Sequence, residues 1–278
     1  MIEFIKNWQT LLGSLVAIAA AFIGARAISG QIQQTDRLEA ERLHRRFLAA
    51  RAVLPLALSS LSQYARDCAT ELYRATGLLR GRSLSQAAPL TFPPPPIAAI
   101  ETLTEVIEAT GSEAVAEPIA DLLSNIQVLN ARLTGLVTRS AHRAGIRDEL
   151  ENYLVDAADI EARVSSMFDF ARRERDVIPR HPDLKEAETA LFTLGQFGTI
   201  HDALEAKVRA RWNRTAIESL ETRGTDIRLL RTLIENDRDL IMRRLEIATV
   251  EDRFRYRDYQ YDRLEDAAAY ALIDRRRR

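Results

Sequence analysis

The apolar and polar positions divide this chain into one unbroken apolar stretch near its start and a succession of helical stripes after it. From Leu11 to Ala25 no charged residue occurs. At 1.5 Å per residue, Trp8 to Ile28 spans ~31 Å, about one hydrocarbon core. The charge-free part alone covers roughly 22 Å, so the flanks matter. Trp8 suits the headgroup layer, and Arg26 can reach back to it. Leu11, Leu12, Leu15, Val16, Ile18, Phe22 and Ile23 each favour insertion by ~0.3–0.6 kcal/mol, while Ser14, Gly13, Gly24 and Arg26 oppose it. The pattern predicts one transmembrane anchor. Two other readings compete with it. Ala25-Arg26-Ala27 has the form of a signal-peptide cleavage site, although Glu3 and the helical pattern beyond it weigh against cleavage. The stretch could also be a buried core helix or an interfacial one.

The flanking cations set the orientation. Only Lys6 precedes the span, whereas Arg26, Arg37, Arg42, Arg45 and Arg46 follow it. The positive side stays cytoplasmic, which puts the N-terminus out and the rest of the chain in the cytoplasm. Gly13, Ala17, Ala20 and Gly24 fall on one helical face, where small residues let two spans approach closely. That face, together with the heptad stripe of the stalk, predicts a homo-oligomer.

Past Gly30 the stripes are helical. Leu43, Phe47, Ala50, Leu54, Ala57, Leu61, Tyr64 and Cys68 step by four and three, as in a coiled coil, and continue after a stutter to Leu79. Pro55 either kinks this helix or divides it. Gly81 to Pro96 is a break closed by four prolines, an extended spacer. Ile97–Thr110 is a short helix stopped by Gly111. Ser112 caps a long helix striped by Val115, Ile119, Leu122, Ile126, Leu129, Leu133 and Leu136. The next helix, from Ile146, carries Leu150, Tyr153, Ala157, Ile160, Val164, Met167 and Ala171, and the two should form an antiparallel hairpin. Asp183 with Glu186 resembles a capping box. A further helix follows Thr199 and ends near Arg223-Gly224. No Gly or Pro occurs from Thr225 to Arg278, so one long helix or two is expected there, and no strand anywhere.

Composition adds little. Hydrophobic residues make up 46% and aromatics 6%, and the net charge is −1. There is no global pull toward nucleic acid. Only three of the 39 basic residues are lysine (Lys6, Lys185, Lys207), a bias of GC-rich, bacterial coding. Cys68, the single cysteine, fits a reducing compartment and makes an internal disulfide impossible.

Candidate chemistry is sparse. Glu41-Arg-Leu-His44 has the spacing of di-iron bundles but lacks the second copy those sites need. No phosphate loop, nucleophile elbow or zinc spacing occurs. Glu149, Glu151, Asp156 and Asp159 read as solvated carboxylates on outer helix faces. Arg253 to Arg263 interleaves arginine with aromatics, yet from Glu251 to Asp266 four Arg face six acids, and packing explains it better than nucleic-acid binding. Arg275, Arg276, Arg277 and Arg278 form either a solvated end or a contact for anionic lipid.

The expected protein is therefore all-α. Its parts are an N-terminal tail at 1–7, a transmembrane helix at 8–29, a helical stalk at 30–80, a Pro-rich linker at 81–96 and a helical bundle at 97–278. The expected role is a scaffold or adaptor at the cytoplasmic face of a bacterial inner membrane. Its partners would be the bilayer, other copies and an unidentified protein, with no nucleic acid, metal or cofactor and no catalytic residues. Two alternatives stand beside it, a sensor with an extracytoplasmic helical domain and an enzyme or effector without a familiar motif.

Overall fold

The computed structural model describes residues 2–78, 90–138, 146–195, 201–224 and 226–278. Within them, the side chains of 2–25, 27–30, 77–78, 138, 201 and 223 lie outside the description. The fold is mostly helical. Helix α1 (Ile2–Leu78) is followed by α2 (Ile97–Ala109), α3 (Glu113–Thr138), α4 (Ile146–Ala171), α5 (Leu184–Leu194), α6 (His201–Arg223), α7 (Ile227–Asn236) and α8 (Arg238–Leu245). Three short strands, β1 (Ala248–Val250), β2 (Arg253–Tyr256) and β3 (Tyr259–Tyr261), precede α9 (Leu264–Arg276).

Helix α4 is the axis of the bundle. Its stripe is buried, and so is much of the rest of its surface, because α1, α3, α5 and α6 all pack on it. Two cross-helix pairs show that α1 and α4 run antiparallel. Arg51 bonds the carbonyl of Phe170, and Ser62 bonds Glu161. Asn125 bonds Asp159 and Arg132 bonds Asp156, so α3 is antiparallel to α4 as the stripes predict. Helix α6 returns parallel to α4, with Lys207 on Glu151 and Arg211 on Asp156. The α3 stripe from Val115 to Leu136 is buried throughout. Each such leucine or isoleucine contributes ~1.5–3 kcal/mol of transfer free energy.

Helix α1 departs from the sequence expectation in two ways. It does not divide at Pro55, which lies inside one continuous helix of 77 residues. Nor is residues 30–80 a stalk apart from the bundle. From Ala50 to Ala75 the stripe of Leu54, Leu61, Tyr64, Cys68 and Leu72 belongs to the same core as α4. The heptad face read as a surface for another copy is largely spent on the chain's own fold. Residues 31–46, by contrast, are exposed along the helix.

The C-terminal segment is the other correction. A three-stranded antiparallel meander, β1-β2-β3, interrupts the helices there. Strand alternation sorts Arg-Phe-Arg-Tyr by face. Phe254 and Tyr256 face inward, while Arg253 and Arg255 are exposed. Tyr270 of α9 lies 5.5–6.2 Å from the rings of Tyr256, Tyr259 and Tyr261. The aromatics are thus packing residues of a small sheet, as the balance of charges implied, although the packing is not helical.

Candidate functional site

The residues singled out in the sequence fall in three places. The expected anchor, Trp8 to Ser29, is the first part of α1. Apart from the exposed Arg26, its side chains, including the Gly13-Ala17-Ala20-Gly24 face, lie outside the described residues. Among the described residues, no helix is long and apolar enough to cross a membrane. The structure therefore gives the expected anchor no support of its own. Arg275 to Arg278 do not form a loose tail. Arg275 pairs with Glu221 and Glu246, Arg276 donates to the carbonyl of Leu272, and Arg278 pairs with Asp274. Contact with lipid would have to compete with those bonds. His44 lines an apolar groove of about 510 Å³ with Leu43, Phe47 and Arg51, where α1 leaves the bundle. Among the described residues, no three His, Cys, Asp or Glu side chains are placed to hold a metal.

Cys68 is buried in α1, one turn after the buried Tyr64. Burial pushes its thiol from 9.0 up to about 12, and Tyr64 beside it is also raised, first by burial. The thiolate is the reactive form, so this site suppresses chemistry rather than promoting it. Iodoacetamide at about pH 8 should leave Cys68 untouched in the folded chain and modify it in urea, as mass spectrometry would read. Ionisation also bears on stability. The unfolded thiol loses its proton near 9.0 while the folded one keeps it to about 12. The stability that depends on the protonated thiol is intact below pH 9 and falls as pH rises through that window. Urea midpoints should decline above pH 9, and less steeply in Cys68→Ala.

The most elaborate polar arrangement was invisible in the sequence. Glu151 and Asp156, expected on a solvated face, are 6% and 9% exposed. Their face of α4 is covered by α6. Burial of a carboxylate is costly unless it is paired, and each here holds two cations. Asp156 accepts from Arg132 of α3 and Arg211 of α6. Glu151 accepts from Arg147 at 3.1 Å and from Lys207 at 2.6 Å. Burial alone would lower the Lys207 ammonium, but Glu151 and then Asp148 outweigh it and hold it above its ordinary value. Further along α4, Glu161 accepts from Ser62 at 2.9 Å and Arg66 at 3.1 Å. Of the four sequence-singled carboxylates, Glu149 bonds Tyr153, while Asp159 joins Asn125 and Arg163. Above the Glu151–Asp156 pair opens a polar cleft of about 480 Å³, lined by Arg132, Tyr153, Lys207, Arg211 and Arg214 among others. Such a cleft can hold an anion. No protein-family model, curated protein or solved structure matches the chain.

Proposed function

We propose that this protein is a single-pass, membrane-anchored helical adaptor whose bundle is held at the cytoplasmic face. The reading rests on one observation. Helix α1 runs without a break from the apolar stretch at 8–29, through an exposed segment, into the bundle core at Ala50. Residues 30–49 would hold the bundle ~30 Å from the apolar stretch, at 1.5 Å per residue. Because α1 is also a core helix, the tether and the folded domain would move as one body. The arginines from Arg26 to Arg46 support the cytoplasmic side. Val53 and Leu56, at i and i+3 on α1, stay 51% and 73% exposed beside the core and suit contact with a protein partner. Pairing of two copies would fall to the small-residue face of the span, since the stripe of Leu54, Leu61 and Cys68 is taken up by the chain's own core. Light scattering of the detergent-solubilised chain should give a dimer or larger species, and a monomer would remove that part of the reading.

The test uses the full chain with a reporter after Arg278 that works only in the cytoplasm, and separately one that works only outside it. The expected result is membrane-bound protein, resistant to alkaline carbonate, with only the cytoplasmic reporter active. Deleting residues 2–30 should release it. Recovery of the full chain in the soluble fraction would overturn the anchor. Activity of the external reporter would overturn the orientation and leave a sensor with its bundle outside.

A further inference from the structure

The cleft between α3, α4 and α6 gathers more cationic donors than its carboxylates use. Arg132, Lys207, Arg211 and Arg214 line it, against Glu149 as its one acidic lining residue. Asp156 and Glu151 sit behind them and neutralise part of that charge. Their geometry also fixes the cations in place. Asp156 takes one Nη1 donor from Arg132 and one from Arg211, of the five donors that each guanidinium carries. Arg132 is further seated 6.0 Å over the ring of Tyr153. Arg214 is exposed at the same rim and has no hydrogen-bond or ion-pair partner among the described residues. Buried carboxylates that orient half-exposed arginines, with donors left over, are an arrangement suited to an oxyanion of more than one charge. The cavity of about 480 Å³ has room for a small ester rather than a bare ion alone, since ligand pockets run from ~300 to 1,000 Å³.

The geometry points to a binding site for a phosphate-bearing small molecule, a phosphate ester or nucleotide, whose phosphate oxygens bridge Arg132, Arg211 and Arg214 while Lys207 closes one side. A lipid headgroup carries the same chemistry, and the fold discriminates between the two sources. Tyr153 lies near the start of α4, ~26 Å along the helix from Phe170, where Arg51 joins it. Helix α1 therefore leaves the bundle from the end opposite the cleft. If the anchor is where we place it, the cleft faces the solution and takes a soluble ligand; only this choice of source depends on the anchor.

Isothermal titration of the full chain in detergent, with pyrophosphate and then a nucleoside triphosphate as probes, tests the site. Saturable binding that weakens with added salt is expected. Arg214→Gln should weaken it about tenfold, or 1.4 kcal/mol. Arg214→Lys should keep most of it, and Arg255→Gln on the distant sheet should leave it unchanged. Equal melting temperatures for the variants keep the comparison free of folding effects. Absence of saturable binding, or equal weakening by Arg214→Gln and Arg255→Gln, would overturn the proposal. Binding only to vesicles carrying phosphoinositide, with none to the soluble probes, would overturn the assignment to a solute.

Discussion

Phe170→Ala should lower the stability of the folded chain by about 3–5 kcal/mol. Phe170 is 1% exposed and heads the fully buried side chains by volume. It lies near the end of α4, where α1 enters the core, and its ring meets Phe47 at 6.4 Å and the Arg51 guanidinium at 4.1 Å. Alanine would leave a cavity among helix backbones that cannot easily close on it. It would also strip Arg51 of the face on which it rests. Urea unfolding followed by circular dichroism measures the loss. A change under about 1 kcal/mol would mean that this joint is loosely packed, at odds with its burial.

Arg51→Ala should cost about 3 kcal/mol, through the loss of two charge-assisted hydrogen bonds and of the stacking on the Phe170 ring. Arg51 is 7% exposed. Its Nε donates to the Phe170 carbonyl at 2.9 Å and its Nη2 to the Arg175 carbonyl at 2.6 Å. The Phe170 carbonyl also accepts from the Arg173 N–H at 3.0 Å, and Arg175 lies past the end of α4, so this side chain from α1 caps the end of α4 by tying its last turn to the segment that follows. Lysine keeps the charge but cannot span both oxygens or stack on the ring, and Arg51→Lys should recover less than half of the loss. Because the two residues touch, the double variant should fall short of the sum by on the order of 1 kcal/mol. Additivity would mean that they act independently and that the cap is not seated on the ring.

The sequence stripes predicted which helix faces are buried but not what buries them. For α3 and α4 the two coincide, because neighbouring matched helices packed on each other. For α1 they did not. Leu54, Leu61 and Cys68 form a heptad face that could serve a second copy equally well, and it is the packing of α2 and of α4, which returns a hundred residues later, that buries α1. The same remoteness hid the ion network. Glu151 and Asp156 lie off the main α4 stripe, and nothing local signals that Lys207 and Arg211 will be laid over them. The meander was missed for a different reason. Its period-2 alternation in Arg-Phe-Arg-Tyr is plain, but hairpin turns are usually marked by Asn or Gly, which tolerate positive φ. Here Glu251, Asp252 and Arg257 occupy that region, at φ 49°, 62° and 52°. Glu246, at φ 59°, likewise ends α8 where a glycine would be expected. Apart from Asp252, chain punctuation was thus written in residues, Glu and Arg, that ordinarily favour helix.

The pulsed electron–electron distance between nitroxides at Asp36 and Ser60, in the full chain reconstituted in nanodiscs, tests whether the tether and the core share one helix. Both positions are exposed, and α1 passes through Pro55 between them without a break. A continuous helix places their backbones ~36 Å apart, at 1.5 Å per residue, with a narrow distribution. A broad distribution centred well below that distance would mean that α1 bends or unwinds between tether and core, and the rigid adaptor proposed here would not stand.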